Sequence, residues 1–168
     1  EITGTFPEIA DAMTFDAVLD GELLVVRDGV VASFNDLQQR LNRKTVTKEL
    51  LQDYPAHVRL YDILFDRADD LRALSFDQRR ARLEAFLDRE RPARMDASQL
   101  LPVHGMDDLK QLREEARQRG IEGLMLKRKD STYVAGRPKG PWFKWKRDPL
   151  TLDAVLMYAQ RGHGKRSS

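Results

Sequence analysis

Two apolar-rich stretches, residues 17–26 and 57–65, the second with Val58, Leu60 and Ile63 among its apolar positions, predict strands. Asp20-Gly21 interrupts the first. Arg27-Asp28-Gly29 then has the chemistry of a tight hairpin turn, and residues 30–32 return as a partner strand. Helical signals lie between and after these strands. Pro7 opens a short helix over residues 8–13. Ser33, with Asp36 three residues on, caps a helix to about Leu41, and residues 47–52 form another that ends before Pro55. Ser75 and Gln78 make a capping box for a helix to about Arg89, with Phe76, Arg79, Arg80, Leu83, Phe86 and Leu87 at helical spacing.

Residues 67–70 predict a turn and 98–103 a strand. A helix starting at Asp107 or Asp108 stops at Gly120, a candidate C′ glycine. Residues 122–127 and 142–146 predict two further strands, joined by a loop rich in Gly, Pro and Lys. Asp148-Pro149 breaks the pattern, and residues 153–160 begin another strand. Strands and helices mix without regular βαβ alternation. The expected fold class is therefore α+β, with mainly antiparallel sheets flanked by helices.

Length, at 168 residues, suits one domain, or one domain and a piece of another. The absence of cysteine excludes a disulfide framework and Cys-based zinc sites. No apolar run approaches a membrane span and no signal peptide opens the chain, so the expectation is a cytoplasmic protein with no membrane partner. The net charge of +2 conceals a gradient: residues 1–53 carry a net −5, 54–120 a net 0 and 121–168 a net +7. The basic end also carries Tyr133, Trp142, Trp145 and Tyr158, which suits a polyanion such as a nucleotide or nucleic acid; an ordinary charged face has the same composition.

Alternation in Trp142-Phe-Lys-Trp-Lys146 puts Lys144 and Lys146 on one strand face and Phe143 and Trp145 on the other. Two adjacent ammonium groups repel unless an anion lies between them, and phosphate is the obvious anion. A solvated edge strand is the competing reading. Glu22 follows a glycine within an apolar strand, where a carboxylate must reach a cation, a hydroxyl or water. Tyr61 offers a flat ring to a base or to the core, beside Asp62, which has no role assignable from sequence. Glu122 precedes Gly123, and its hard oxygens suit Mg²⁺. Unbroken alternation would set Lys127 on the opposite face from Glu122, a conflict that a bend or bulge would remove. Trp142 and Trp145 suit packing. His57, His104 and His163 have no metal-ligand spacing, and Lys139, Arg137 and Arg147 suit either DNA phosphates or a solvated loop.

Four segments fall in one order: Asp20-Gly-Glu22-Leu, Tyr61-Asp-Ile-Leu64, Glu122-Gly-Leu-Met-Leu-Lys127 and Trp142-Phe-Lys-Trp-Lys146. Together they resemble the nucleotidyltransferase motifs III, IIIa, IV and V of ATP-dependent polynucleotide ligases and mRNA capping enzymes. Ser33-Phe34, Leu37-Gln38-Gln39-Arg40-Leu41 and the closing segment are most similar to bacterial DNA ligases. The resemblance covers nearly the whole chain. It implies the ATP-grasp-like nucleotidyltransferase fold of DNA ligases, with residues 1–148 a partial adenylation domain and 149–168 the linker and first strand of an OB-fold domain. It implies ATP as AMP donor, Mg²⁺ or Mn²⁺, and nicked double-stranded DNA as partner, with the protein acting as a monomer at the nucleoid.

By the same resemblance Lys144 and Lys146 are catalytic and contact the α-phosphate, while Glu22, Tyr61 and Lys127 also belong to the nucleotide site. Glu22 and Glu122 are the metal residues. The family's first motif, Lys-x-Asp-Gly, supplies the lysine that bonds to AMP, and it occurs nowhere in this sequence. Lys44 and Lys48 stand in the wrong context to replace it. The chain is thus expected to be inactive by itself, a piece of a ligase. An RNA ligase or capping-type enzyme, or a non-catalytic nucleotide- or DNA-binding remnant, remains open at this stage.

Overall fold

The computed structural model describes residues 2–41, 43, 45–118, 121–136, 139–146, 148, 153–158 and 160, without the side chains of 117 and 118. Two long strands, β1 (Ala17–Arg27) and β3 (Ala56–Asp66), pair antiparallel and form the centre of a five-stranded sheet. The hairpin partner β2 (Val30–Val31) follows a turn in which Asp28 and Gly29 both take positive φ, 50° and 77°, as the Asp-Gly chemistry requires. On the far side of β3 lie β4 (Asp69–Asp70), antiparallel, and β5 (Met95–Ala97), parallel.

The helices start where the sequence caps them. Helix α1 (Pro7–Ala12) opens on Pro7; α2 (Phe34–Arg40) is capped by a reciprocal Ser33–Asp36 box, and α3 (Lys48–Asp53) by Thr47. Helix α4 (Phe76–Glu90) has the Ser75–Gln78 box, and α5 (Met106–Gln118) completes the set. Packing splits the core in two. Phe6, Ile9, Val25, Leu37 and Ala56 gather under α1 and α2, while Leu60, Ile63, Leu71, Leu83 and Phe86 gather under α4. Arg40 is wholly buried beneath the first group. It donates to both carboxylate oxygens of Glu8 and to the carbonyls of Thr5 and Tyr54, so the N-terminal segment is fastened to α2. Burial alone would raise the Glu8 pKa, but the Arg40 guanidinium and the Ala56 N–H bring it below the ordinary value.

A separate antiparallel pair, β6 (Gly123–Lys127) and β7 (Trp142–Lys146), packs against α5. Gly123 has φ +148°, and a Cβ there would lie 2.3 Å from the Trp145 carbonyl oxygen and 2.7 Å from the Lys146 Cα. Both neighbours are backbone, so glycine is the residue that lets the two strands close at this point.

Two expected strands are absent. Residues 98–103 carry no strand; the pairing segment is β5, which stands earlier because Val58↔Met95 and Leu60↔Ala97 set a parallel register on β3. The ladder ends as Ser98 donates to the Leu60 carbonyl at 2.7 Å, and Leu100, Leu101 and Val103 are exposed beyond it. Among residues 153–158 and 160 there is no strand either. Val155, Leu156, Met157 and Tyr158 stand exposed, with no strand alongside them among the described residues, and an extended segment holds its conformation only when its backbone groups are paired. The expected C′ glycine at Gly120 and the break at Pro149 lie outside the described residues.

Gly123→Ala is expected to destabilise the chain by about 2 kcal/mol, through positive φ and backbone collision together. Urea unfolding followed by tryptophan fluorescence measures it; an unchanged midpoint would contradict the close approach of the two strands.

Candidate functional site

The two sheets meet around one buried ion pair. Asp62, on β3, and Arg79, on α4, both have fully buried side chains. Arg79 holds the carboxylate with two bonds, Nε to Oδ1 at 2.8 Å and Nη2 to Oδ2 at 3.0 Å, and the Ile63 N–H also donates to Oδ1. The remaining Arg79 nitrogen donates to the carbonyls of Leu74 and Ser131. Ser131 lies in the loop between β6 and β7, so one guanidinium joins the large sheet, α4 and the second sheet. The same loop is tacked down by backbone bonds from Asp77 to Lys129 and from Tyr133 to Arg72.

Tyr61 owes its direction to an irregular ladder. The β1–β3 register shifts at Val18/Leu19 and again at Asp20/Gly21, which leaves Leu64 and Tyr61 without direct partners on β1. Such a bulge turns the extra side chain out of the regular alternation. Gly21 permits the close crossing beside it: a Cβ there would come 2.9 Å from the Arg59 carbonyl oxygen. The Asp20-Gly21 interruption is therefore the partner of the Tyr61 bulge. Asp20 also accepts a 3.0 Å hydrogen bond from the Tyr133 hydroxyl. Burial raises the Tyr61 phenol well above its usual pKa, and the carboxylate of Asp20, the Tyr133 phenol and the carboxylate of Glu22 all push the same way.

Over the Tyr61 ring sits Lys127. Its Nζ is 4.6 Å from that ring, 4.8 Å from Phe76 and 4.5 Å from Trp142, inside a cage of three aromatic faces. Trp142 in turn meets Tyr133 edge-on, with ring centroids 5.6 Å apart. Lys127 Nζ and Trp142 Nε1 are both buried and have no hydrogen-bond partner among the described residues. Burial lowers the Lys127 pKa, while Asp62 and Asp20 act against that shift.

The β6–β7 register is unbroken: Lys127↔Trp142, Met125↔Lys144 and Gly123↔Lys146 are cross-strand pairs. Directly opposed residues share a face, so Lys127, Lys144 and Lys146 stand in one row with Trp142. Leu124, Leu126, Phe143 and Trp145 occupy the other face, toward Met106 and Leu109 of α5. The expected conflict between Glu122 and Lys127 does not arise. Glu122 precedes the first residue of β6, at the positive-φ Gly123, so strand alternation does not set its direction. Its carboxylate lies 3.5 Å from Lys146 Nζ, an exposed pair.

Tyr61, Lys127, Trp142 and the lysine row are thus brought together, and Glu122 joins them through Lys146. Glu22 is exposed on β1, cross-strand from Arg59 and close enough to Tyr61 to act on its phenol. Among the described residues no three His, Cys, Asp or Glu side chains form a group able to hold a metal ion. Neither of two surface cavities gathers Tyr61, Glu22, Glu122 and Lys144. One, of about 420 Å³, is lined by Asp70, Arg72, Ala73, Thr132 and Tyr133; the other, of about 340 Å³, lies against α5 and takes in Lys144. His57 lies against Asp96 at 3.3 Å. Lys139 is exposed, and Arg137, Arg147 and His163 lie outside the described residues.

Sequence reasoning missed Arg79 and Phe76 as parts of this site, named Tyr133 only among the aromatics of the basic end, and favoured packing for Trp142. One signal was available: Arg79 falls on the apolar stripe of α4, and a buried guanidinium requires a carboxylate, which Asp62 supplies.

Comparison with solved structures defines the class. The ligase domain of M. tuberculosis LigD superposes with a TM-score of 0.65 at 28% identity, over 86% of this chain and 43% of that one. The fold is that of the nucleotidyltransferase domain of DNA ligases. A family model described as "ATP dependent DNA ligase domain" matches residues 1–146, and the chain belongs to that family. Among its relatives are a DNA ligase of Methanothermobacter thermautotrophicus, 33% identical over 99% of this chain and 30% of that protein, and a probable DNA ligase of Koribacter versatilis, 29% identical over 99% and 33%. The chain spans about a third of the length of these curated relatives.

Removing one partner of the buried pair leaves the other charge stranded. Asp62→Ala is expected to cost about 3–5 kcal/mol of stability. Thermal unfolding by circular dichroism checks this; a loss below 1 kcal/mol would mean that Arg79 finds other compensation.

Proposed function

We propose that this chain is part of an ATP-dependent DNA ligase that seals nicks in double-stranded DNA through enzyme–AMP and DNA–adenylate intermediates. Residues 1–148 are assigned to part of the adenylation domain, and 149–168 to the linker and first strand of an OB-fold domain. The observation that carries the reading is the row of Lys127, Lys144 and Lys146 on one face of β6–β7, starting at the Tyr61 ring. A ring for the base stands beside cations for phosphate.

The orphaned donors Lys127 Nζ and Trp142 Nε1 suit a ligand rich in acceptors, as a nucleotide is. Tyr61 stacks on the adenine, a contact typically worth about 1–3 kcal/mol for a base on an aromatic side chain. Lys144 and Lys146 meet the α-phosphate. Glu22 and Glu122 are exposed carboxylates, donors that would suit Mg²⁺ or Mn²⁺, since a hard cation keeps several waters and needs only one or two protein carboxylates. A bound divalent cation there would offset charge on the phosphate oxygens.

The reaction runs in three displacements at phosphorus. A lysine nitrogen attacks the α-phosphorus of ATP, forming a P–N bond as the bond to the β-phosphate oxygen breaks and pyrophosphate leaves. An oxygen of the 5′-phosphate at the nick then attacks the same phosphorus, and the lysine leaves. Finally the 3′-hydroxyl attacks the 5′-phosphorus, loses its proton and expels AMP. In each step negative charge builds on phosphate oxygens, and the ammonium groups of Lys144 and Lys146 stabilise that charge more in the transition state than in the ground state. Lys139 and its neighbours in the basic loop suit contact with DNA phosphates. The ligase reading further implies Mg²⁺ or Mn²⁺ dependence, a monomer, cytoplasmic action at the nucleoid, and a role in DNA replication, repair or recombination.

The sequence contains no Lys-x-Asp-Gly, so this chain is expected to form no covalent AMP adduct. Incubation with radiolabelled ATP and Mg²⁺ followed by a denaturing gel should give no labelled band, and an acid-labile band would refute the assignment of the nucleophile. In the longer protein that carries this chain, Lys144→Ala and Lys146→Ala should each slow sealing of nicked DNA by about 10²–10³-fold. Folding stability should change by only about 0.5 kcal/mol. Normal sealing by both variants, or equal activity on nicked RNA, would overturn the reading.

A further inference from the structure

Arg113 stands on α5, outside the residues assigned to the nucleotide. Its Nε donates to the backbone carbonyl of Lys146 at 2.9 Å, and Nη2 donates to Asp148 Oδ1 at 2.7 Å. The guanidinium lies over the Trp145 ring, 5.5 Å from its centroid. Three contacts from one side chain therefore converge on Trp145, Lys146 and Asp148. Lys146 is the last residue of β7, opposite Gly123, where the β6–β7 ladder ends. Ladders fray at their ends, and Arg113 gives the carbonyl of the last β7 residue a charged donor. The planar fork of arginine serves the carbonyl and the carboxylate at once from two rigidly placed nitrogens, where a lysine offers a single point charge.

The lysine row and Trp145 point to opposite faces of β7. Arg113, seated on Trp145, is therefore on the far side of the strand from the Lys146 ammonium and acts on it through the backbone. Lys146 carries its charge on a long flexible stem, so the backbone direction at its Cα decides which volume the ammonium samples. A misplacement of about 1 Å in a reacting constellation is enough to cost about 10²-fold in rate.

We propose that Arg113 is a positioning residue for Lys146: by clamping the Lys146 carbonyl and the Asp148 carboxylate together, it aims the Lys146 ammonium, beside Glu122, at the nucleotide phosphates. The inference rests on the reading of Lys146 as a phosphate contact.

The test uses the 168-residue chain. Binding of ATP with Mg²⁺ is measured by calorimetry for the original sequence, Arg113→Ala, Lys146→Ala and the double variant. Acetylation of each lysine with and without ATP is read in parallel by mass spectrometry. Arg113→Ala should weaken ATP about tenfold, the scale of one charge-assisted hydrogen bond, and should add nothing in the Lys146→Ala background. ATP should protect Lys144 in both Arg113 forms but protect Lys146 only when Arg113 is present. Additive losses, unchanged affinity, or equal loss of protection at Lys144 and Lys146 would each overturn the proposal, the last because it marks Arg113 as a general prop. Should Arg113→Ala fail to fold, Asp148→Asn removes the charged acceptor while leaving the carbonyl and Trp145 contacts, and undiminished protection of Lys146 in that variant overturns the proposal equally. If Lys146→Ala alone leaves ATP affinity intact, the phosphate reading of Lys146 falls, and the role of Arg113 falls with it.

Discussion

The buried pair of Asp62 and Arg79 is the contact on which the rest of the arrangement depends. A guanidinium and a carboxylate with no solvent contact are tolerated only when nearly every donor and acceptor is used. Here the Ile63 N–H and the carbonyls of Leu74 and Ser131 complete the set. Satisfying Arg79 requires three chain segments at once: β3, the approach to α4, and the loop after β6. The second sheet is thereby tied to the first by a polar contact whose geometry is directional, where apolar packing alone would allow sliding.

The same junction sets the electrostatics above it. Lys127 loses hydration inside the cage of Tyr61, Phe76 and Trp142, and burial lowers its pKa accordingly. The ring faces and the carboxylates of Asp62 and Asp20 offset part of that cost. Lys144 and Lys146, further along the strand, stay exposed, and Lys146 has Glu122 nearby. One face thus grades from a desolvated cation against aromatic rings to solvated cations beside a carboxylate. A ligand with a flat apolar end and a phosphate end matches that gradient.

Two glycines make these approaches possible for different reasons. At Gly21 the neighbouring strand leaves no room for a Cβ, and the register slips there to release Tyr61. At Gly123 both the backbone angle and the crowding by Trp145 and Lys146 exclude other residues. Each sits in a sequence segment that also holds a candidate carboxylate, Glu22 or Glu122. Close backbone crossing and an exposed acidic group are thus built into the same few residues.

Much of this was legible in the chain alone. Capping boxes at Ser33 and Ser75, the Asp-Gly hairpin and the long strands followed from local chemistry, because capping and turn geometry depend on residues only a few positions apart. The four ordered motifs singled out Lys127, Lys144, Lys146, Tyr61 and the two glutamates as candidates before any distance was known. Tertiary structure decided what depends on contacts between distant segments. It set β5 at Met95–Ala97, since a parallel register on β3, and not the apolar run after it, chose the pairing residues. It turned Asp62 from an unassigned carboxylate into the partner of Arg79, and Trp142 into a wall of the Lys127 cage. It removed the conflict between Glu122 and Lys127, because the strand starts one residue after the glutamate. Periodicity reports which side of an element a residue faces; only the packed chain determines what stands opposite it.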